Sequence, residues 1–472
     1  MTTANYIAGT WQAQGEGPLT VRDVYTAARI ADVPLATATD MEQAIAAAVK
    51  ARGPLEEFGA EERASRLEQL AAVLETRSEE FAQLIRREAG KPITYARTEV
   101  ARALTTIKLS AQEARQMCDT EIDVDYDAGR GRRAWVRRVP VGVVAAITPF
   151  NFPLNLVLHK VAPALAMGCP VVLKPAPQTP LTALFLAELI DQLGLPAGSF
   201  SAVVCSNMIA EQLVRDERVA MLSFTGSDTV GWRLKEICGR KRVALELGGN
   251  AAVIVDEGSD LLTTAHAVAQ GAFGYAGQTC ISTQRIFVVD AEFEAFRDAL
   301  VKATHAIVSG DPERADVVNG PLIDASHCAR IAQWVKEARD GGATVLCGGE
   351  VLDAAHNIYA PTLLTGTRPH MRIHGDEAFG PVAVVEPARD FEEALRLVNA
   401  SRFGLQAGLF STNENHIQQA FAELEVGGLI INGVPGLRVD GMPYGGVKHS
   451  GLGREGPRYA MEEMSERRVL LR

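Results

Sequence analysis

The sequence predicts an α/β protein in which two parallel-sheet units follow one another along the chain. Three observations carry this. Short β-rich runs alternate with helix-like segments in two separate series. A stretch of helical periodicity precedes the first series, and the composition is 47% hydrophobic with abundant Ala, Val and Gly. The chain of 472 residues is long enough for two or three domains with large cores.

The opening segment, MTTANYIAGTWQAQGEG, has neither a basic n-region nor an apolar h-region, so no signal peptide is expected. Residues 40–117 are rich in Ala, Glu, Arg and Leu. There Leu67, Leu70, Val73, Leu74, Phe81, Leu84 and Ile85 recur at three- and four-residue steps, which predicts amphipathic helices. The run DYDAGRGRRAWVRRVP then reads as a turn followed by a short exposed ribbon at Ala134 to Val139, an edge that needs a partner chain or a covering element. From Val141, the runs VGVVAAITPFN, CPVVLKPAP, FSAVVCS, MLSFTGS and VALELGG form the first strand–helix series. A second series starts at NAAVIVD and continues through RIFVVD, ATVLCGG, PVAVVEP and GLIINGVP, which puts the division near Leu247–Gly249. The Gly-rich tail ends in a strand-like stretch that folds back on the second half or pairs across an interface.

Composition excludes several function classes. A net charge of −11 argues against nucleic acid, because phosphate binding needs a basic face. No apolar run approaches the roughly 20 residues of a membrane span. The 7 cysteines are scattered, without CxxC or HxxxH spacing, which reads as reduced thiols in a cytoplasmic protein and gives no metal site.

Five positions draw chemical attention, each with an ordinary alternative. In LSFTGSDTVGWRLKEI a strand ends at Phe224, and a Gly226-Ser227 turn leads into a helix from about Asp228. Free N–H groups at such a helix start suit a pyrophosphate, although plain capping explains the same pattern. Lys174 follows an apolar strand, where α/β folds bind ligands; alone, it reads as a solvated loop lysine. Asn151 in TPFNFP is a candidate oxyanion donor or an Asx-turn residue. Glu246 in ALELGGN is a carboxylate in an apolar strand, a candidate general base if buried and otherwise an exposed strand-end residue. Cys280 in GYAGQTCISTQRIFVV is a small core hydrophobe or a nucleophile, and its neighbours Gly277, Gln278, Thr279 and Ser282 suit a turn better than a packed core.

These signals occur together in one order. TPFNFPLNL, VVLKPAPQTP, FTGS, LELGGN, GQTCIS, EAFGPV and MPYGGVKHSGLGREG resemble the aldehyde dehydrogenase superfamily, and the likeness runs from YIAGTW to the C-terminus. The resemblance implies a Rossmann-type NAD(P)-binding domain (residues 1–118 and 140–247) and an α/β catalytic domain (residues 248–440). It also implies a small oligomerisation element (residues 119–139 and 441–472), giving a homodimer or homotetramer. By position within the motifs, Cys280 is the nucleophile, Glu246 the general base and Asn151 the oxyanion donor. Thr148, Pro149, Phe150, Lys174, Phe224, Gly226, Ser227, Gly248, Glu377 and Phe379 match the contacts to NAD or NADP. Glu377 would hold the nicotinamide ribose, with Phe379 beside it. The implied chemistry is oxidation of a small aldehyde to its acid through a thiohemiacetal and a thioester. A thiol serves because its pKa starts near 8.5 and is readily lowered. The glutamate at 246 favours hydrolysis over acyl transfer to coenzyme A.

The pattern also departs from its NAD-preferring relatives. Pro177 stands where those relatives carry a glutamate that binds the adenine ribose, so discrimination against NADP is weakened and the choice between NAD and NADP stays open. Arg438 and Arg102 are candidates to clamp a distal carboxylate, with Phe152 as a further substrate contact. A succinic-semialdehyde type substrate follows, with lactaldehyde, glyceraldehyde-phosphate or phosphono-aldehyde types, or a non-catalytic binding protein, as alternatives. A structural salt bridge is the other reading of Arg438, and a solvated helix face that of Arg102. His159 is expected to be packed rather than catalytic.

Overall fold

The computed structural model describes residues 2–472. The expected helical region forms four helices, Ala38–Glu57, Gly59–Thr76, Ser78–Ala89 and Ile93–Gln116. Thr37 and Asp40 begin the first with a reciprocal capping box, which satisfies two of the free N–H groups at its start. Leu67, Leu70, Leu74, Phe81, Leu84 and Ile85 are buried, so the three-four spacing lies on the core side.

The first sheet has eight strands, in the order Thr10–Gln12, Asn5–Ile7, Phe200–Ala202, Val171–Lys174, Val143–Ile147, Val219–Thr225, Arg242–Glu246 and Gly451–Leu452. The central five are parallel, while the outer ones join antiparallel. In chain order the parallel strands run 3-2-1-4-5, so the winding direction reverses between Val143–Ile147 and Val219–Thr225. Ligands bind at such a switch point, outside the carboxyl ends of the strands. These strands are buried on both faces, which explains why they read as continuous apolar runs.

The second sheet has seven strands, in the order Thr344–Cys347, Thr362–Thr365, Val382–Ala388, Arg285–Val289, Ala252–Val255, Gln406–Phe410 and Gly428–Ile431. All neighbours are parallel except the first pair. The last strand of the first sheet before the division ends at Glu246, and the second sheet begins at Ala252.

Two expectations are refined. The ribbon is the strand Ala134–Pro140, and it is central rather than an edge: Ser465–Leu471 pairs along one side and Thr120–Ile122 along the other. The chain's own tail covers it. The tail is also divided. Gly451–Leu452 joins the first sheet, and the helix Pro457–Glu463 packs on the helices Asn155–Met167 and Ile93–Gln116, so only the last strand belongs with the ribbon. Among the described residues, no helix is long and apolar enough to cross a membrane, and no cluster of His, Cys, Asp and Glu could hold a metal ion.

Candidate active site

A cleft of about 490 Å³ opens at the switch point. Its wall on the first sheet is made by residues at and just beyond the carboxyl ends of three parallel strands: Thr148 to Asn151, Lys174 with Pro177 and Gln178, and Phe224 to Ser227. The opposite wall carries Cys280, Arg330, Glu377 and Phe379, with Glu246 and Gly248 at the junction. The sequence-predicted catalytic trio and all ten cofactor candidates therefore meet in one place. Phe152, Arg102 and Arg438 are not among the lining residues.

The dinucleotide side fits a flat, phosphate-bearing ligand. Ser227 stands at the N-cap of the helix Asp228–Ile237, yet its hydroxyl makes no capping bond, which leaves it and the first N–H groups available to an anion. A Cβ on Gly226 would lie 2.5 Å from the Phe224 ring, and one on Gly248 would lie 2.4 Å from Glu377 Oε2, so neither position admits a larger residue without displacement. Among the described residues Thr225 Oγ1 is buried without a partner, and Lys174 Nζ reaches only Asn207 Oδ1, at 3.2 Å. Glu377 accepts one bond from Gly249 N at 3.1 Å, and burial raises its carboxyl to about 7. Phe379 holds an unusual left-handed backbone (φ 45°) and meets Phe150 edge-on at 5.9 Å. Strained backbone of this kind persists where the surroundings over-determine it.

Cys280 follows the helix Leu261–Phe273 and a tight turn in which Tyr275, Ala276 and Gly277 all take positive φ. The Tyr275 hydroxyl, donating to Ala89 O at 3.0 Å, and its N–H, donating to Val318 O at 2.9 Å, pin that turn. Sγ lies 3.2 Å from the Tyr444 hydroxyl. The thiol is half-buried, and this corrects the expectation of a lowered pKa: burial pushes it up to about 12, against a smaller opposing effect of the Tyr444 bond. The Asn151 amide donates to Gln278 O at 2.9 Å, which ties the turn after Val143–Ile147 to the cysteine loop. The backbone N–H of Cys280 makes no hydrogen bond among the described residues.

Glu246 is buried, and neither carboxyl oxygen has a hydrogen-bond partner among the described residues. Burial, and next the charge of Glu455, hold its pKa well above the usual carboxyl range. Glu455 is itself buried, but Lys160 (2.7 Å) and Arg438 (3.1 Å) keep it ionised, with a pKa of about 2. The two buried carboxyls thus shift in opposite directions, Glu246 up and Glu455 down, and the difference is that Glu455 has cations bonded to it.

Arg438 and Arg102 differ in what they have left to offer. Arg102 is bonded in bidentate fashion to Asp440 through Nε (3.0 Å) and Nη2 (2.8 Å). Asp440 also takes bonds from Asn155 and His159. This corrects the two-arginine clamp: Arg102 is committed to a structural pair. Arg438 bonds Glu455 through one nitrogen and packs on the Tyr444 ring at 3.8 Å, but its buried Nε has no partner. Phe152 lies under the Lys91 ammonium at 3.6 Å rather than in the cleft. His159 is fully buried and, as expected, packed.

Sequence reasoning missed Tyr444, Gln278, Arg330 and the Lys160–Glu455 pair. Lys160 had a usable signal: a lysine inside the apolar helix run NLVLHKVAPALAM requires a buried partner. Tyr444 had none, because 164 positions separate it from the sulfur it touches.

A dinucleotide-type sheet that opens onto the same cleft as a cysteine and an unpartnered buried glutamate defines a nicotinamide-dependent oxidoreductase. The sequence matches the aldehyde dehydrogenase family over residues 11–470, and the chain belongs to that family. It is 43% identical over 470 residues to the 3-sulfolactaldehyde dehydrogenase of Priestia megaterium, covering 99% of this chain and 97% of that one. The crystal structure of aldehyde dehydrogenase 21 from Physcomitrella patens, in complex with the reaction product succinate, superposes with a TM-score of 0.96 at 40% identity, covering 99% of this chain and 98% of that one. The NADP-dependent glyceraldehyde-3-phosphate dehydrogenase of Bacillus halodurans, complexed with NADP, gives 0.96 at 33% identity, covering 100% and 99%.

Proposed function

We propose that this enzyme oxidises a small aldehyde bearing a distal anionic group to its carboxylic acid, with Cys280 as nucleophile, Glu246 as base and Asn151 as oxyanion donor. The observation that carries the reading is that these three side chains line one cleft with the phosphate-facing turn at Gly226 and Ser227. Lys174, Ser227, Gly248, Glu377 and Phe379 would hold NAD or NADP. When bound, the oxidised nicotinamide supplies the hydride acceptor.

Each residue then has a definite task. Sγ bonds to the aldehyde carbon as its proton passes to water in the cleft, which leaves Glu246 for the second half of the reaction. The second N–H of the Asn151 amide and the free N–H of Cys280 take the oxygen of the thiohemiacetal. Loss of hydride leaves a thioester on Cys280. Glu246 in its deprotonated form takes a proton from water, the hydroxyl adds to the thioester carbon, and collapse releases the acid as Glu246 returns that proton to the sulfur.

The anionic substrate class is supported by Arg438, whose unpartnered Nε lies one aromatic ring away from the nucleophile. The 3-sulfolactaldehyde relative and the succinate-bound structure agree with that chemistry. A panel of aldehydes followed at the reduced-nicotinamide absorbance, with both dinucleotides, tests the proposal. Short carboxylate- or sulfonate-bearing aldehydes are expected to give the highest kcat/KM, and a clear preference for uncharged aldehydes would reject the class. Arg438→Ala should raise KM for such a substrate about tenfold to a hundredfold, the value of one or two charge-assisted hydrogen bonds. KM for an uncharged aldehyde of the same length should stay level, and an unchanged KM for the anionic one removes Arg438 from the site.

The same proposal takes the sheet formed by Thr120–Ile122, Ala134–Pro140 and Ser465–Leu471 as the assembly surface of a homodimer or homotetramer, since Val469, Leu470 and Leu471 lie exposed on it.

A further inference from the structure

The helix that faces the phosphates begins with an acid. Asp228 is the first residue of Asp228–Ile237, directly after Ser227. A carboxylate there suits the helix dipole but opposes a diphosphate seated at the same N-terminus. Arg402, in the loop before Phe403–Gly404, lies 3.5 Å from Asp228 Oδ2. Its other terminal nitrogen donates to Asp376 Oδ1 at 2.5 Å. Asp376 immediately precedes Glu377, and its backbone carbonyl accepts from both Asn250 (3.0 Å) and Gln284 (2.7 Å). The Glu377 loop is therefore clipped to the second sheet from behind, while Arg402 joins its flank to a helix of the first. The guanidinium is held over the Phe403 ring at 4.4 Å, and its backbone carbonyl accepts from His449 N at 3.0 Å. His449 O in turn accepts from Trp232 on the same phosphate-facing helix, at 3.3 Å.

We propose that Arg402 is a positioning residue for the dinucleotide: it ties the Asp228 end of the phosphate-facing helix to the Glu377 loop across the cleft, and it cancels the Asp228 charge where the diphosphate sits. Glu377 sits in the field of both partners, Asp228 raising its pKa and Arg402 opposing that rise, after the larger effect of burial. The two walls belong to different sheets, and their separation fixes whether the phosphate turn and Glu377 reach one ligand at the same time. The inference rests on the proposed placement of the nicotinamide ribose at Glu377.

The test is binding, not turnover. Dissociation constants for ADP, ADP-ribose and the preferred dinucleotide are measured by calorimetry on the whole enzyme. ADP reports the adenosine and diphosphate end without the second ribose, which ADP-ribose adds. Arg402→Gln is expected to weaken ADP about threefold, with the effect shrinking in high salt, and ADP-ribose about tenfold. Adding Asp228→Asn should return ADP to its wild-type affinity and leave ADP-ribose at least about fivefold weak, because the Glu377 loop is still untied. Arg402→Lys keeps the charge but cannot span both carboxylates, so it should bind ADP normally and ADP-ribose poorly. That variant carries the test if circular dichroism shows Arg402→Gln to be unfolded. The proposal is overturned if ADP-ribose stays within twofold of wild type in Arg402→Gln or Arg402→Lys, or if the double variant restores ADP-ribose as fully as ADP. Glu377→Gln separates the two levels of the argument. If it leaves ADP-ribose unchanged, the ribose placement fails and this inference with it. If it weakens ADP-ribose while the Arg402 variants do not, only the inference about Arg402 fails.

Discussion

Cys280→Ala is expected to lower aldehyde oxidation by at least about 10⁴-fold while leaving dinucleotide affinity within about twofold. The carbon–sulfur bond is the reaction's first covalent step, and the hydroxyl beside the sulfur, that of Tyr444, is a phenol whose pKa burial holds well above its ordinary value. The hydroxyls that line the cleft belong to Thr148, Thr225 and Ser227, which sit on the dinucleotide wall. Alkoxides of this type are scarcely populated at neutral pH. Of the other cysteines, five are buried in cores, and Cys118, the exposed one, lies outside the cleft lining. Dinucleotide binding should survive because no cofactor contact passes through Sγ, whose one hydrogen bond is to Tyr444. Reduced-nicotinamide absorbance gives the rate, and quenching of protein fluorescence by the dinucleotide gives the affinity. Turnover near the wild-type rate would remove Cys280 from the mechanism. The raised thiol pKa adds a second expectation on the same sulfur: in the absence of ligands, alkylation of Cys280 should be slow at neutral pH and quicken as pH rises, because only the thiolate reacts.

The fold was legible because its strands are uninterrupted apolar runs placed between helices, a pattern that leaves few other packings. The run VGVVAAITPFN contains the strand Val143–Ile147, Asn151 falls after that strand as expected, and Thr225 extends the predicted strand end by only one position. The site was legible as a set of motifs whose members proved to lie together in one cleft. What could not be read was anything set by the meeting of distant side chains. The thiol pKa depends on how deeply Cys280 sits beside Tyr444, and the ionisation of Glu455 depends on Lys160 and Arg438 arriving from two other segments. Arg102 shows the same limit in reverse. Its sequence setting left substrate binding open, and its bidentate pair with Asp440, 338 positions away, closes that role. The ribbon at Ala134–Pro140 was correctly judged to need a cover, but pairing geometry alone shows that the cover is Ser465–Leu471 of the same chain.

Glu246→Gln is expected to permit one hydride transfer per site and then stall, giving a burst of reduced dinucleotide of about one equivalent and a steady rate about 10²- to 10⁴-fold below wild type. Glutamine keeps the shape of the side chain, so the neighbouring strand pairing at Glu246 and Gly451 should be retained. It cannot take a proton from water, so the thioester on Cys280 accumulates, and mass spectrometry of the quenched enzyme should find the acyl adduct. The wild-type pH dependence follows from the environment of the carboxyl. Burial, and next the charge of Glu455, hold Glu246 well above the ordinary carboxyl range, so its basic form grows in at higher pH than that of a free glutamate. Deacylation should therefore climb with pH through a titration displaced upward from that of a free glutamate, and the climb should vanish in the glutamine variant. Removing the charge beside it by Glu455→Gln should move the climb to lower pH, since that charge is the second contribution to the rise. Steady turnover without a burst in Glu246→Gln, or a pH profile unaltered by that substitution, assigns the proton transfer to another group.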